Sequence, residues 1–252
     1  TPESVLWGMG EIRLGIVLEA LKEKNKIGLN ARVPRSAYRE TITKNAEAHY
    51  RHKKQSGGHG QFGEVYIRMA PLPRGKGFEF KESIFGGSIP KQYIPGVEKG
   101  IVDALQEGVL GKFPVVDVSV DLYDGKFHEV DSSELAFKIA GSMAIKNALQ
   151  KASPIMLETI MDVEAVCPAD YIGDVISDLS SRRGRVLGMD TRSDVRVVAA
   201  QVPLAEMFGY ATTLRSLSQG RATFTMQVAH YEPVPSSICD TLKVSRGGQL
   251  NG

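Results

Sequence analysis

The sequence predicts an α+β protein of more than one domain that ends in a ferredoxin-like β-α-β-β-α-β domain. Runs in which apolar and polar residues alternate, typical of half-buried strands, are interspersed with stretches of helical apolar periodicity. The last third repeats a strand-helix-strand pattern, and each copy passes from helix to strand through Gly-Arg, at 184–185 and 220–221. A length of 252 residues allows one large domain or two smaller ones.

The first elements predict an incomplete α/β unit. A strand-like run at 4–7 precedes a helix over 11–24, and an extended segment at 28–33 follows. The helix carries an apolar stripe at i, i+3, i+4 and i+7, formed by Leu14, Val17, Leu18 and Leu21. We therefore expect residues 1–36 to be half of a domain whose other strands precede Thr1.

The middle of the chain predicts strands and two helices. Strand-like alternation occurs at 64–69, at 78–81 and at 116–122, the last run leading to the turn-forming dipeptide Asp124-Gly125. A helix is predicted over 90–106. A second helix is predicted to begin with Asp131 as its cap and Glu134 three residues later, and its apolar stripe is Ala136, Ile139, Ala140 and Met143.

The last third supplies the predicted ferredoxin-like domain. Its strands are expected at 156–166, 185–189, 195–202 and 221–230, with all four on one side of two helices. The helices are marked by two apolar stripes: Ile172, Val175, Ile176 and Leu179; Met207, Tyr210, Ala211 and Leu214. Pro233 and Pro235 end the domain, and we expect a mobile tail over 236–252.

Composition excludes several classes of protein. With 42% hydrophobic and 24% charged residues, the chain has the make-up of a globular protein and not of a disordered or fibrous one. No apolar run approaches the roughly 18 residues of a membrane span, and residues 1–4 show no export signal. The two cysteines, Cys167 and Cys239, lack metal-ligand spacing and predict free thiols in a cytoplasmic protein.

Positive charge is local, because the net charge is only +2. Arg51, Lys53 and Lys54 belong to a basic stretch, no acidic residue occurs from 48 to 63, and a glycine-rich segment fills 56–63. This pattern fits either a solvated face with a flexible loop or a loop that approaches a phosphate backbone, since glycines permit close approach. A second basic cluster contains Arg182, Arg183 and Arg185.

Motifs for catalysis or metal binding are weak. The sequence has no GxxxxGK[ST] phosphate loop, and the glycines at 57–60 lack the lysine and hydroxyl of that motif. His128 has no nucleophile beside it in sequence. The nearby acids Asp121, Asp124 and Asp131 do not have EF-hand spacing, which favours a solvated surface over a metal site.

Five strings in a fixed order closely resemble bacterial translation elongation factor G. They lie at 38–42, 57–62, 124–134, 181–184 and 203–210, and the resemblance extends over roughly 8–235. Two departures, Arg13 where the family has histidine and Thr159 where it has proline, fit a divergent paralogue.

The resemblance implies a division into domains and explains why the chain has no phosphate loop. Residues 1–36 match the second half of the ferredoxin-like third domain, 37–153 the fourth and 154–235 the ferredoxin-like fifth. The fourth domain has the α/β sandwich fold of ribosomal protein S5 domain 2. The GTPase and second domains have no counterpart here, so we expect this chain to be no enzyme and to hold no cofactor. GTP and Mg²⁺ would belong to the whole protein.

The resemblance also implies a ribosome-binding site at the tip of the fourth domain. Two loops would form it and enter the decoding centre of the small subunit beside tRNA: Ser56, Gly57, Gly58, His59, Gly60, Gln61 and Phe62; Asp124, Gly125, Lys126 and His128. We expect these loops to be close together and exposed. Arg51, Lys53 and Lys54 would contact RNA phosphates, and Arg182, Arg183 and Arg185 would face RNA at the large-subunit GTPase centre. The protein is expected to be a monomer.

Two alternatives remain open. A recycling or ribosomal-protection paralogue would share the fold, although protection factors usually carry different tip loops. An enzyme is the other alternative, because small-molecule kinases and some nucleases share the fourth-domain fold. The absent phosphate loop and the lack of clustered catalytic acids argue against an enzyme.

Overall fold

The computed structural model describes residues 11–26, 38–55, 60–192 and 194–240. Of the described residues, the first of two compact units combines Tyr38–Leu157 with 233–240, and the second combines Glu158–Glu232 with 11–26. The strands expected at 4–7 and 28–33 lie outside the described residues. The predicted N-terminal helix is present as α1 (Glu11–Asn25), where Val17 and Leu21 of the expected stripe are exposed.

The first unit is a two-layer α/β structure. Its strands and helices are β1 (Tyr38–Ile42), β2 (Ala46–Lys54), β3 (Gln61–Pro71), β4 (Phe78–Glu82), α2 (Ile94–Glu107), β5 (Val118–Lys126) and α3 (Glu134–Lys151). The sheet has the strand order β2-β3-β5-β4, antiparallel except for the parallel pair β4–β5. Helix α3 packs on β2 and β3, and α2 packs against α3.

Helix α3 starts later and faces differently from the prediction. Its cap is Ser133, whose hydroxyl oxygen accepts a hydrogen bond from the Ala136 backbone N–H at 3.2 Å. Met143 of the predicted stripe is exposed, whereas Phe137 and Ile145 are buried. The helices approach too closely for a side chain at Gly141, where a Cβ would lie 2.7 Å from the Val97 carbonyl oxygen. Close helix packing therefore selects the buried face.

Strand β5 continues through the dipeptide that the sequence predicts to be a turn. Gly125 pairs with Val65, and the extra residue Tyr123 makes a bulge before it. A Cβ at Gly125 would lie 2.4 Å from both the Glu64 carbonyl oxygen and Ile89 Cδ1. The glycine is thus required for packing and not for chain reversal, which corrects the predicted turn at Asp124-Gly125.

Glu40, in the first string of the family resemblance, has a structural role. Its side chain is fully buried, and its two carboxylate oxygens accept four backbone N–H hydrogen bonds of 2.7–3.1 Å. The donors belong to the loop after α2: Val109, Leu110, Gly111 and Phe113. These bonds satisfy the acceptors of a buried carboxyl group and fix the loop that leads to β5.

The second unit has the predicted ferredoxin-like fold. Its elements are β6 (Pro154–Pro168), α4 (Ile172–Ser181), β7 (Arg185–Arg192), β8 (Val195–Pro203), α5 (Tyr210–Leu217) and β9 (Thr223–Pro233). The strand order is β9-β6-β8-β7. Val175, Leu179, Tyr210 and Leu214 of its two helices pack in one core with β8. Leu187 on β7 is exposed, whereas its neighbour Val186 packs against this core.

The core of the second unit contains a tyrosine hydroxyl without a hydrogen-bond partner among the residues described. The Tyr210 ring packs edge-on to Phe224 at 4.8 Å, its hydroxyl oxygen is buried, and burial raises the pKa of its phenol. We expect Tyr210→Phe to raise the free energy of unfolding by about 1 kcal/mol, because it removes a desolvated polar group. Urea denaturation measures this change.

Tyr171→Phe is the matched control for that substitution. The Tyr171 hydroxyl accepts a hydrogen bond from Arg221 at the surface, so its removal should give no gain in stability. A Tyr210→Phe variant less stable than the wild type would show that the hydroxyl has a stabilising partner.

The segment after Pro235 differs from the expected mobile tail. Residues 236–240 are helical, and Ile238 and Cys239 pack against a buried cluster of Phe113, Met156 and Val234. These apolar contacts hold the start of the segment on the first unit, whereas its short length and few apolar residues predict a mobile tail. The rest of the expected tail lies outside the described residues. No helix in the described ranges is long and apolar enough to cross a membrane.

Candidate functional site

The candidate site is one end of the first unit's sheet, where two connections meet. One connection joins β2 to β3, and the other joins β5 to α3. Because β2, β3 and β5 are antiparallel neighbours, both connections leave the sheet at the same end. We call residues 60–62 and 126–132 the tip. Four predicted site residues, Ser56, Gly57, Gly58 and His59, lie outside the described residues.

Asp131 and Ser132 tie the two connections of the tip together. The Gly60 N–H donates to Asp131 Oδ1 at 3.0 Å, and the Phe62 N–H donates to the Asp131 carbonyl oxygen at 2.8 Å. The Ser132 hydroxyl donates to the Phe62 carbonyl oxygen at 2.9 Å. A Cβ at Gly60 would lie 2.9 Å from the Asp131 carboxylate, so a larger residue there would displace that carboxylate. The expected proximity of the two connections is confirmed for their described residues.

His128 is exposed, and its ring nitrogens are differentiated by local backbone contacts. Its Nδ1 accepts hydrogen bonds from the N–H groups of Val130 at 3.3 Å and Asp131 at 3.2 Å. An accepting Nδ1 carries no hydrogen, which places the ring hydrogen of the neutral form on Nε2. The Asp131 carboxylate lies 3.7 Å from Nδ1, beyond hydrogen-bond distance. His128 therefore retains Nε2 as a donor for a partner outside the chain.

Aromatic and amide groups support the tip from the β3 side. The ring centroids of Phe62 and His128 are 6.2 Å apart with a tilt of 55°. Gln61 Oε1 lies 2.8 Å from His52 Nε2, which connects the start of β3 to the basic strand β2. These contacts hold the described part of the first predicted loop against the second.

The predicted second loop is only partly a loop. Asp124 and Lys126 are exposed, but Gly125 between them is buried within β5, contrary to the expectation that the whole segment is exposed. The Asp124 side chain accepts a hydrogen bond from the Gly125 N–H at 2.7 Å. The surface available to a partner therefore begins at Lys126 in this connection, with Asp124 lying on the strand before it.

The basic residues of β2 differ in whether their side chains are exposed or are held by a partner on the sheet. Lys53 and Lys54 are exposed at the end of the strand. Arg51 is half-exposed and donates to the buried Glu64 carboxylate through Nε at 2.8 Å and Nη2 at 3.3 Å. Burial alone would raise the pKa of Glu64, but hydrogen bonds from Arg51 and Tyr66 outweigh it and lower that pKa. Arg51 is thus held on the sheet, whereas the two lysines extend the positive surface at the tip.

Two of the three arginines expected to face RNA are instead internal ion-pair residues. Arg182 bonds to Asp178 at 2.8 Å, and its side chain is only 16% exposed. Arg183 donates two hydrogen bonds, of 2.9 and 2.7 Å, to the buried Glu158 carboxylate. Arg185 alone is well exposed, at 65% of its side chain. The internal pairs give Arg182 and Arg183 a structural role, and their contact with RNA stays a prediction.

Asp131, Ser132 and Glu158 have roles that the sequence patterns do not predict. In sequence, Asp131 fits a capping-box pattern. That local role is a sufficient reason for an aspartate at this position, so nothing in the sequence indicates its long-range contact. The signal for Glu158 is a carboxylate inside the apolar run of β6, a position that demands a buried partner. That partner, Arg183, lies 25 residues away.

The comparisons with known proteins agree on one family. Residues 34–153 match the family described as elongation factor G, domain IV, and residues 155–242 match the family described as elongation factor G C-terminus. The chain is 53% identical over 242 residues to elongation factor G of Aquifex pyrophilus, covering 96% of this chain and 35% of the relative. A crystal structure of a Thermus thermophilus protein matches with a TM-score of 0.87 and 41% identity, covering 96% of this chain and 36% of the other. The chain thus spans about a third of the length of each.

Proposed function

Because this chain belongs to the elongation factor G family, we propose that it is the ribosome-binding part of a GTPase that promotes tRNA–mRNA translocation. The family assignment rests on the adjacent matches over 34–153 and 155–242. The chain spans 35% of the Aquifex relative's length, and the proposed GTP and Mg²⁺ sites belong to the part of such a factor that lies outside it. In this proposal the chain itself binds and positions and does no chemistry.

The observation that carries the proposal is the tip, whose two connections are held together by hydrogen bonds. Asp131 holds Gly60, and through its backbone Phe62, against the connection that bears His128. Glycine backbone, an imidazole N–H donor and exposed lysines are the groups that approach, donate to and neutralise RNA. The tip therefore suits insertion between RNA strands at the decoding centre.

The mechanism that we propose uses the first unit as a stiff lever. Strand β3 has 11 residues, which extend over about 35 Å at the usual rise per residue. Backbone pairing along β2, β3 and β5 joins the tip to the body of the unit. A movement that GTP hydrolysis starts elsewhere in the factor would be transmitted to the tip, because the paired strands resist bending. His128 would then hold the displaced tRNA–mRNA through its Nε2–H.

The remaining contacts are also proposals. Arg185, exposed on β7, is the candidate of the second unit for RNA at the large-subunit GTPase centre. The factor would act in the cytoplasm as a monomer on the ribosome and tRNA. Recycling or ribosome protection is the alternative, favoured by the departures Arg13 and Thr159. An assay of tRNA–mRNA movement against subunit splitting separates these functions.

Ribosome binding by this chain tests the proposal directly. We expect the double variant Lys53→Glu/Lys54→Glu to bind ribosomes about tenfold more weakly, because it replaces two phosphate-neutralising charges at the tip with repelling ones. The dependence of log affinity on log salt should also become shallower by roughly two. Binding of labelled chain across a series of salt concentrations measures both effects.

The matched control reverses two lysines at the other end of the first unit. Lys44 follows β1 and Lys151 ends α3, and both are exposed. Lys44→Glu/Lys151→Glu should bind within about twofold of the wild type because both charges lie outside the proposed contact. Equal losses in the two double variants, or wild-type binding that is insensitive to salt, would contradict the proposed interface.

A further inference from the structure

An aromatic side chain stands almost free on the loop between β4 and α2. Phe85 is 95% exposed, more than any other large hydrophobic side chain in the described ranges. Gly86 and Gly87 follow it with φ angles of 72° and 71°, left-handed values that glycine adopts without strain. The chain therefore turns sharply directly after this ring.

Both ends of that loop are anchored. The Ser83 N–H donates to the Leu122 carbonyl oxygen at 3.0 Å, and the Ser83 hydroxyl donates to Asp121 at 2.7 Å. Ile84 packs on the main core, and Ile89 is buried in it. Phe85 is thus presented outward by a loop whose neighbours on both sides are fixed.

The loop lies at the tip end of the sheet. Strand β4 runs parallel to β5, and its last paired residue, Glu82, is opposite Leu122. Beyond that pair β5 leads to the tip, and Ile89 occupies the space where Gly125 lacks a side chain. Phe127 and Val130 of the tip are exposed as well. The 83–90 loop therefore flanks the tip on the β4 edge, and the β2–β3 connection lies at the opposite edge.

We propose that Phe85 stacks on an unpaired base of ribosomal RNA beside the tip. This inference rests on the proposed function, which brings this end of the sheet to RNA. An aromatic ring that is 95% exposed is available to a flat apolar partner, and nucleobases stack on such rings in single-stranded RNA. The position on the β4 edge favours ribosomal RNA surrounding the tip over the tRNA–mRNA that the centre of the tip would hold.

Three substitutions separate stacking from simple apolar contact. Phe85→Ala and Phe85→Leu should each weaken ribosome binding by about tenfold, and Phe85→Trp should bind within about twofold of the wild type, because tryptophan retains a stacking face. Leu187→Ala is the control, since Leu187 is 57% exposed on β7 in the second unit. Thermal unfolding should be unchanged in the three Phe85 variants because a ring that is 95% exposed contributes little buried area. Leu187→Ala should also change it little, because that side chain is exposed.

A benzophenone analogue of phenylalanine at position 85 identifies the partner. Irradiation of the ribosome complex should yield cross-links to ribosomal RNA. Cross-links only to tRNA, mRNA, a ribosomal protein or another part of the factor would overturn the inference. So would equal ribosome binding by wild type, Phe85→Ala and Phe85→Leu. Failure of the wild-type chain to bind ribosomes at all would instead contradict the proposed function, and this inference with it.

Discussion

In the whole factor, His128→Ala is expected to slow tRNA–mRNA movement by about tenfold to a hundredfold. The reason is the loss of one donor to a charged or polarised RNA group, worth about 1.5–3 kcal/mol when it acts only in the transition state. Ribosome-stimulated GTP hydrolysis should stay within about twofold, because the proposed function puts the nucleotide site in the part of the factor outside this chain. Fluorescence from labelled mRNA and release of phosphate measure the two rates on the same mixture.

The control for this substitution is another exposed histidine. His230 on β9 is 39% exposed and contacts Glu232 at 2.6 Å, so His230→Ala should leave both rates near those of the wild type. His128→Gln tests the donor itself, because an amide can still donate a hydrogen bond and should recover part of the rate. Equal losses of GTP hydrolysis and movement in His128→Ala would place His128 in a different role.

The sequence predicted the second unit well because its signals are local and repeated. Two apolar helical stripes, each followed by Gly-Arg and a strand, define a β-α-β half without knowledge of distant contacts. The structure confirms these halves, with α4 and α5 sharing a core with β8. In contrast, the face of α3 depends on α2. The two helices approach each other closely at Gly141, and this contact buries Phe137 and leaves Met143 of the predicted stripe exposed.

The prediction of the site was limited in the same way, because local sequence signals do not show contacts between distant residues. The family resemblance implied correctly that the two connections are neighbours, but the residue that joins them, Asp131, resembles an ordinary helix cap in sequence. Gly125 resembles a turn residue, yet it leaves room for Ile89 inside the sheet. Sequence patterns predict what a residue can do locally, and the long-range partner decides which of these possibilities the fold uses.

The arginines that follow α4 show the largest difference between what the sequence predicts and what the structure contains. The sequence predicts a basic cluster that faces RNA, whereas the structure shows Arg182 and Arg183 in internal ion pairs. Arg183 has a left-handed φ of 61°, and this conformation accompanies a guanidinium that reaches Glu158 and also Glu206, the latter at 3.1 Å. Side-chain hydrogen bonding to Glu158 raises the pKa of Arg183. Glu158 is 3% exposed, so water cannot replace its partner at low cost.

We therefore expect Arg183→Ala to destabilise the second unit by about 3–5 kcal/mol, the usual cost of leaving a buried charge without its partner. Urea denaturation followed by circular dichroism measures the loss. Arg185→Ala, two residues further on and well exposed, should change stability by no more than about 0.5 kcal/mol.

A double variant distinguishes a buried pair from a surface that contacts RNA. Glu158→Leu/Arg183→Met removes both charges, so it should recover much of the stability lost in Arg183→Ala. If Arg183 faced RNA, Arg183→Ala would weaken ribosome binding while the folded chain kept its stability. A loss of stability below about 1 kcal/mol, together with weaker ribosome binding, would overturn the internal role and restore Arg183 to the RNA-facing surface that the sequence predicts.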